Sequence, residues 1–260
     1  MLYKDYLSKI LELQKKYPFL RVRSIGKSIM EREIYIIEYG VGSRKVQYTA
    51  LHHAMEHAGT YVCFRYIEEL CKYGSQRKYE ESTLYFVPIV NPDGGEMQSR
   101  GGEFFYRWQA NARGVDLNHN YDALWDRVYD IPGPTRFGGY IPESEPEVIT
   151  LINEARKQKF DRVVAFHSQG EEIYWDFNKI YVEGAYELAK KIEEASGYKM
   201  AIPEDIASGG GYKDWFIQEF KKIGLTIELG KGENPLAESK FEDIYQKILP
   251  ALNIISYEFE

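Results

Sequence analysis

The feature that most constrains this 260-residue chain is the alternation of short apolar runs with longer segments of helical periodicity. Residues 84–90 and 162–166 are almost continuous in apolar side chains, as strands covered on both faces require. Pro88 counts against a strand through its position, because proline cannot donate to a ladder. Residues 20–25, 33–39, 46–51 and 225–229 read as further strands. Apolar side chains recur at helical spacing over 2–16 (Leu2, Tyr6, Ile10, Leu13) and over 59–72 (Val62, Tyr66, Ile67, Leu70). Residues 145–157, 185–196, 212–222 and 241–259 also read as helices. Strands alternating with helices imply an α/β fold with a mixed sheet and helices on both faces. Ligands of such folds gather at the carboxyl ends of the strands.

No repeat, low-complexity tract or Pro/Gly/Ser-rich linker divides the chain, and its length fits one domain over residues 1–260. The net charge of −7 carries no long run of one sign, which argues against nucleic acid or an anionic membrane surface as partner. The first 18 residues are charged throughout and read as neither signal peptide nor membrane span, so the expected location is cytoplasmic. Cys63 and Cys71, eight apart in a helical pattern, suit neither a disulfide scaffold nor a zinc site and read as buried small residues. The 22 tyrosines suit pocket walls and wet interfaces, and the plain expectation for each is the surface.

Three of the five histidines fall in Leu51-His52-His53-Ala54-Met55-Glu56-His57, where the 46–51 strand ends. Polar groups crowded behind a buried strand must be desolvated, and a metal compensates for that. Two ligand sets compete. In one, His53 and Glu56 join His167, which also follows a buried strand, as a His₂Glu set with one open position. In the other, His53-x-x-Glu56-His57 is an inverted zincin motif with Glu56 as base, which needs a helix through those residues. The strand end at residue 51 and a helix beginning near Gly59 favour the first.

Asn91-Pro92-Asp93-Gly94, taken alone, reads as a turn. The run from Asn111 to Asn120 is denser in polar groups than a plain loop needs. There Arg113 is suited to clamp a carboxylate or a developing oxyanion, Asn118 to hold a substrate carboxylate, and Asp116 to accept from a metal-bound imidazole. Thr226-Ile227-Glu228-Leu229 sets one carboxylate in an apolar strand, where burial raises its pKa toward the range of a general base.

Taken in order, Ile25-Gly26-Lys27-Ser28, His53-Ala-Met-Glu56, Asn91-Pro-Asp-Gly94, Gly114-Val-Asp-Leu-Asn118, His167-Ser-Gln-Gly170, Ser208-Gly-Gly210 and Thr226-Ile-Glu228-Leu resemble the zinc carboxypeptidase family. Trp108-Gln-Ala-Asn-Ala-Arg113, His167-Ser-Gln-Gly-Glu-Glu-Ile-Tyr-Trp175, Gly211-Tyr-Lys-Asp-Trp215 and the stretch from Thr226 to Pro235 are similar to its bacterial γ-D-glutamyl-diamino acid endopeptidase branch. The resemblance implies a three-layer α/β/α sandwich with a mixed sheet of about eight strands. It implies one zinc on His53, Glu56 and His167, which supplies an acidified water and a polarised scissile carbonyl. It further implies Glu228 as the base, Arg113 on the oxyanion with Arg107 as the substitute, and a cell-wall muropeptide as substrate.

Two positions depart from the family. Asn118-His119 stands where the family has Asn-Arg, and that arginine clamps the substrate's C-terminal carboxylate. The family's mobile active-site tyrosine, just before Ser-Gly-Gly, has no match, since Asp205 lies near its place; Tyr212 or Lys213 is the expected compensation. Lys213 falls where the family reads the leaving group's side chain, and a cation there suits an acidic group such as the second carboxylate of diaminopimelate. The rival readings are an ordinary C-terminal carboxypeptidase, a small-molecule amide or ester deacylase on the same scaffold, and a metal-binding scaffold without catalysis.

Overall fold

The computed structural model describes residues 2–125, 129–202 and 209–259. Asp205 therefore lies outside the described residues. In chain order the elements are α1 (Tyr3–Lys16), β1 (Arg21–Lys27), β2 (Glu33–Tyr39), β3 (Arg44–Thr49), α2 (His57–Tyr73), α3 (Gln76–Glu81), β4 (Ser82–Val87), α4 (Pro92–Arg100), α5 (Gly102–Phe105), α6 (Pro146–Gln158), β5 (Arg162–His167), β6 (Glu172–Tyr174), α7 (Ala185–Ser196), β7 (Lys199–Met200), α8 (Tyr212–Phe220), β8 (Ile223–Glu228) and α9 (Phe241–Tyr257). One eight-stranded sheet runs in the order β1-β2-β4-β3-β5-β8-β6-β7. Its centre is parallel from β4 through β3 and β5 to β8, and antiparallel pairs flank it on both sides.

Neighbouring residues of β3 show why the sheet carries two helical layers, since successive side chains of a strand leave opposite faces. Tyr48 stacks between Phe86 and Phe166, and its hydroxyl pairs with Ser256 of α9 at 2.7 Å. Gln47, one residue earlier, meets the Tyr212 hydroxyl of α8. Gly59 of α2 sits so close to β5 that a Cβ would come within 2.7 Å of Phe166, so only glycine permits this approach.

Several expectations shift. β4 stops at Val87, immediately before Pro88. Asn91-Pro92-Asp93-Gly94 is a helix start rather than a free turn: Asn91 accepts from Gly94 N at 2.9 Å and Pro92 opens α4. The tyrosines are less superficial than expected. Tyr6, Tyr39, Tyr48, Tyr66, Tyr85, Tyr121, Tyr198, Tyr212 and Tyr245 are all buried. Cys63 is buried but Cys71 is only half-buried. Among the described residues, no helix is long and apolar enough to cross a membrane.

The chain leaves β3 for β4 on one side and later places β5 on the other side of β3. That reversal makes a crevice outside the carboxyl ends of β3 and β5, and residues 50–56 and His167 occupy it.

Candidate active site

Immediately after β3, Leu51 turns the chain with a positive φ of 58°, a conformation that costs a branched residue energy and is held by its surroundings. Asn91 supplies part of that hold, donating through Nδ2 to His52 O and Ala110 O, both at 3.1 Å. The turn aims His53 and Glu56 across the mouth of β5 toward His167. His53 Nδ1 lies 2.9 Å from Glu56 Oε1, His167 Nδ1 lies 3.0 Å from Glu56 Oε2, and the two imidazole Nδ1 atoms are 3.2 Å apart. Ligand atoms of all three residues fall within 4.8 Å of one another.

These atoms fit a metal. Donors about 2.0–2.2 Å from a tetrahedral zinc stand about 3.3 Å from each other, close to the separations found here. Without a cation both Nδ1 atoms must donate to Glu56 while facing each other at 3.2 Å, and that opposition disappears if the protons give way to one shared ion. Asp116 fixes the tautomer this requires: His53 Nε2–H donates to Asp116 Oδ1 at 3.1 Å, leaving Nδ1 free for the metal. Burial alone would lower the His53 pKa, but the charges of Glu56 and Asp116 hold it well above the ordinary value. Burial lowers that of His167. His57, the ligand of the rejected alternative, opens α2 and pairs through Nε2 with Gln98 Oε1 at 2.9 Å, outside the group.

Glu228 is the last residue of β8 and pairs in register with His167, the last of β5. The two side chains thus stand at neighbouring strand ends and line one cleft of about 150 Å³. Burial first, then the charge of Glu56, raises the Glu228 carboxyl well above its ordinary pKa. The cleft is also lined by Asn118, His119, Tyr174, Lys213, Asp214 and Thr226.

Two expected residues are not in it. Tyr212 is fully buried: its ring lies 5.9 Å from that of His52 and its hydroxyl meets Gln47, so it is a packing residue of α8. Arg113 leaves the cleft for Glu145, 3.8 Å away, with its side chain 57% exposed. Arg107 instead bonds Glu233 Oε2 at 3.0 Å, next to Asn234.

Asn234 and Ser168 were not anticipated. Ser168 N donates to Glu56 Oε2 at 3.2 Å, Asn234 Nδ2 approaches Glu56 Oε1 at 3.4 Å, and the two side chains join at 2.8 Å. Each carboxylate oxygen of Glu56 thus meets one histidine and one of these two residues. Both sit inside motifs that carry the family resemblance, but neither is a residue type that announces a metal.

The zinc carboxypeptidase family model matches residues 6–257. The chain belongs to the zinc carboxypeptidase family. The family uses one catalytic zinc, so the protein is a zinc metallopeptidase, and His53, Glu56 and His167 are the cluster that fits the ion. It is 34% identical, over 95% of its own length and 70% of the relative's, to γ-D-glutamyl-L-diamino acid endopeptidase 1 of Lysinibacillus sphaericus. Among solved structures it resembles carboxypeptidase A of Helicoverpa armigera, with a TM-score of 0.85, 20% identity, and coverage of 98% of this chain and 72% of that one. It also resembles murein-tripeptide amidase of Escherichia coli O157, with a TM-score of 0.62, 18% identity, and coverage of 91% and 92%. At these identities the two structures speak for the fold.

Proposed function

We propose that the protein, as one catalytic domain, hydrolyses the amide between γ-D-glutamate and diaminopimelate in murein-derived peptides. The observation that carries the substrate is the 34% identity, over nearly the whole chain, to an endopeptidase named for that bond. His119 at the cleft supports it. A guanidinium binds a carboxylate through two parallel bonds at any physiological pH, and an imidazole does not. The pocket therefore makes no strong demand for a single free main-chain carboxylate in one fixed place.

In this reading His53, Glu56 and His167 hold the zinc, which when bound acidifies water and polarises the carbonyl. Glu228 accepts the proton of the attacking water and returns it to the leaving nitrogen, as its raised basicity suits. Asp116 orients His53. Asn118 and His119 face the leaving residue.

The test is incubation of the zinc-loaded protein with L-Ala-γ-D-Glu-diaminopimelate and with benzoyl-glycyl-phenylalanine, followed by mass spectrometry. Release of diaminopimelate from the first, well ahead of phenylalanine from the second, is expected. The reverse order would make the protein an ordinary carboxypeptidase.

A further inference from the structure

A second cavity, of about 580 Å³, lies at the end of the sheet opposite the metal cluster. Its buried side holds Arg162 and Ile223, the first residues of β5 and β8, which pair in register. The same two strands end at His167 and Glu228. Five residue steps of β5 at ~3.3 Å put about 17 Å between Arg162 and His167. The cavity's volume falls within the ~300–1,000 Å³ of ordinary small-molecule sites.

Arg162 is its unusual member. It is 6% exposed, yet among the described residues it makes no ion pair. Its one hydrogen bond among them runs from Nη1 to Ile255 O at 2.8 Å, which uses one of a guanidinium's five N–H donors. Its Cζ lies 3.9 Å from the Phe259 ring centroid, and Arg44 approaches the same ring at 4.9 Å, adding to the positive charge. The nearby carboxylates are engaged elsewhere: Asp161 by Lys222 at 2.8 Å and Glu258 by Lys191 at 3.0 Å. Burial lowers the Arg162 pKa to about 10, so the side chain stays charged at neutral pH. A buried charge is ordinarily compensated by a partner.

The rim carries the opposite sign. Glu183 and Glu187 line the same cavity, are exposed, and make no ion pair among the described residues. Leu188, Ile223 and Phe259 supply apolar wall. A bare anion would satisfy Arg162 but meet both glutamates, and a bare cation would do the reverse. A ligand with a carboxylate at one end and an ammonium at the other satisfies both, and apolar side chains suit the wall.

We propose that this cavity binds a short peptide with both termini free, its C-terminal carboxylate on Arg162 and its N-terminal ammonium on Glu183 and Glu187. The site is separate from the catalytic cleft and independent of which bond the protein cuts. Every turnover of a peptidase creates such termini.

Calorimetry compares L-leucyl-L-leucine with its N-acetyl and C-terminal amide forms on the zinc-loaded protein carrying Glu228→Gln, in which peptide bonds survive. The free dipeptide should bind at least about tenfold more tightly than either, since each derivative forfeits one charge-assisted contact. Glu183→Gln with Glu187→Gln should abolish the preference over the acetyl form and keep that over the amide. Arg162→Met should do the reverse. The rim variant alters exposed residues only, so it decides the matter even if Arg162→Met does not fold. Inorganic phosphate, a bare anion, should bind more weakly than the dipeptide. Three forms that bind alike, no binding at all, or phosphate binding as tightly would overturn the site. A preference for the free ammonium that survives the rim variant would put the peptide in the catalytic cleft and overturn it too.

Discussion

Asp116 is 1% exposed, and each of its oxygens is in use. Oδ1 accepts from His53 Nε2 at 3.1 Å and from Asn118 N at 3.2 Å, while Oδ2 accepts from Arg136 N at 2.9 Å. Asp116→Asn preserves volume but replaces one acceptor with a donor. If the amide nitrogen faces Arg136 N, two buried donors oppose each other, a loss of about 1–3 kcal/mol. If it faces His53, the imidazole must present a lone pair at Nε2 and carry its proton at Nδ1, the atom aimed at the metal. Either orientation weakens zinc: the second protonates the Nδ1 that faces the ion, and the first leaves His53 a neutral amide acceptor in place of the carboxylate that raises its basicity. Loss of such an outer partner typically costs 10–100-fold in metal affinity, or about 1.4–2.8 kcal/mol. Competition with a chelator of known affinity, run on wild type and variant at one pH, measures the difference. An unchanged zinc affinity in a folded variant would refute this role for Asp116.

Glu147 is fully buried, and burial pushes its carboxyl up to about 7, with Asp93 and Glu145 adding to the effect. A folded-state pKa raised from 4.5 means the stabilising protonated form is complete below pH ~4.5 and lost as pH rises through about 7. The difference of about 2.5 units corresponds to about 3 kcal/mol. Glu147→Gln should therefore raise the melting temperature at pH 8 and change it little at pH 5; equal shifts at both would contradict the linkage. His119→Arg should lower KM for substrates with a free C-terminal carboxylate and shift preference toward them, as the ratio of kcat/KM for the two substrate classes would show.

What the sequence made legible was set by how local the cause is. His53, Glu56 and His167 stand out because each follows a strand end, and Glu228 because a carboxylate in an apolar run is conspicuous. Asn234 and Ser168 are silent in sequence: Ser168 grips Glu56 through a backbone N–H that any residue there would carry, and Asn234 reaches it only once the chain after β8 folds back. Arg113 misled because the polar density of a loop does not say which way a side chain leaves it; Glu145, 32 residues on, decides that. Tyr212 misled for a related reason. Its neighbour Lys213 faces the cleft, and a helix sends the adjacent residue to a different face, here onto His52 and Gln47. β6 and β7, at three and two residues, are too short to carry a periodic signal and exist through pairing with β8 and with each other.

Glu228→Gln tests the mechanism most directly, read by zinc content and by kcat on the same sample. The substitution keeps shape and removes the base, and general acid–base catalysis typically contributes ~10²–10⁴-fold. One zinc per chain with kcat reduced at least about a hundredfold is the expected result. A variant that keeps more than about a tenth of wild-type kcat, or one that loses the metal, would contradict the division of labour between the His53–Glu56–His167 cluster and Glu228.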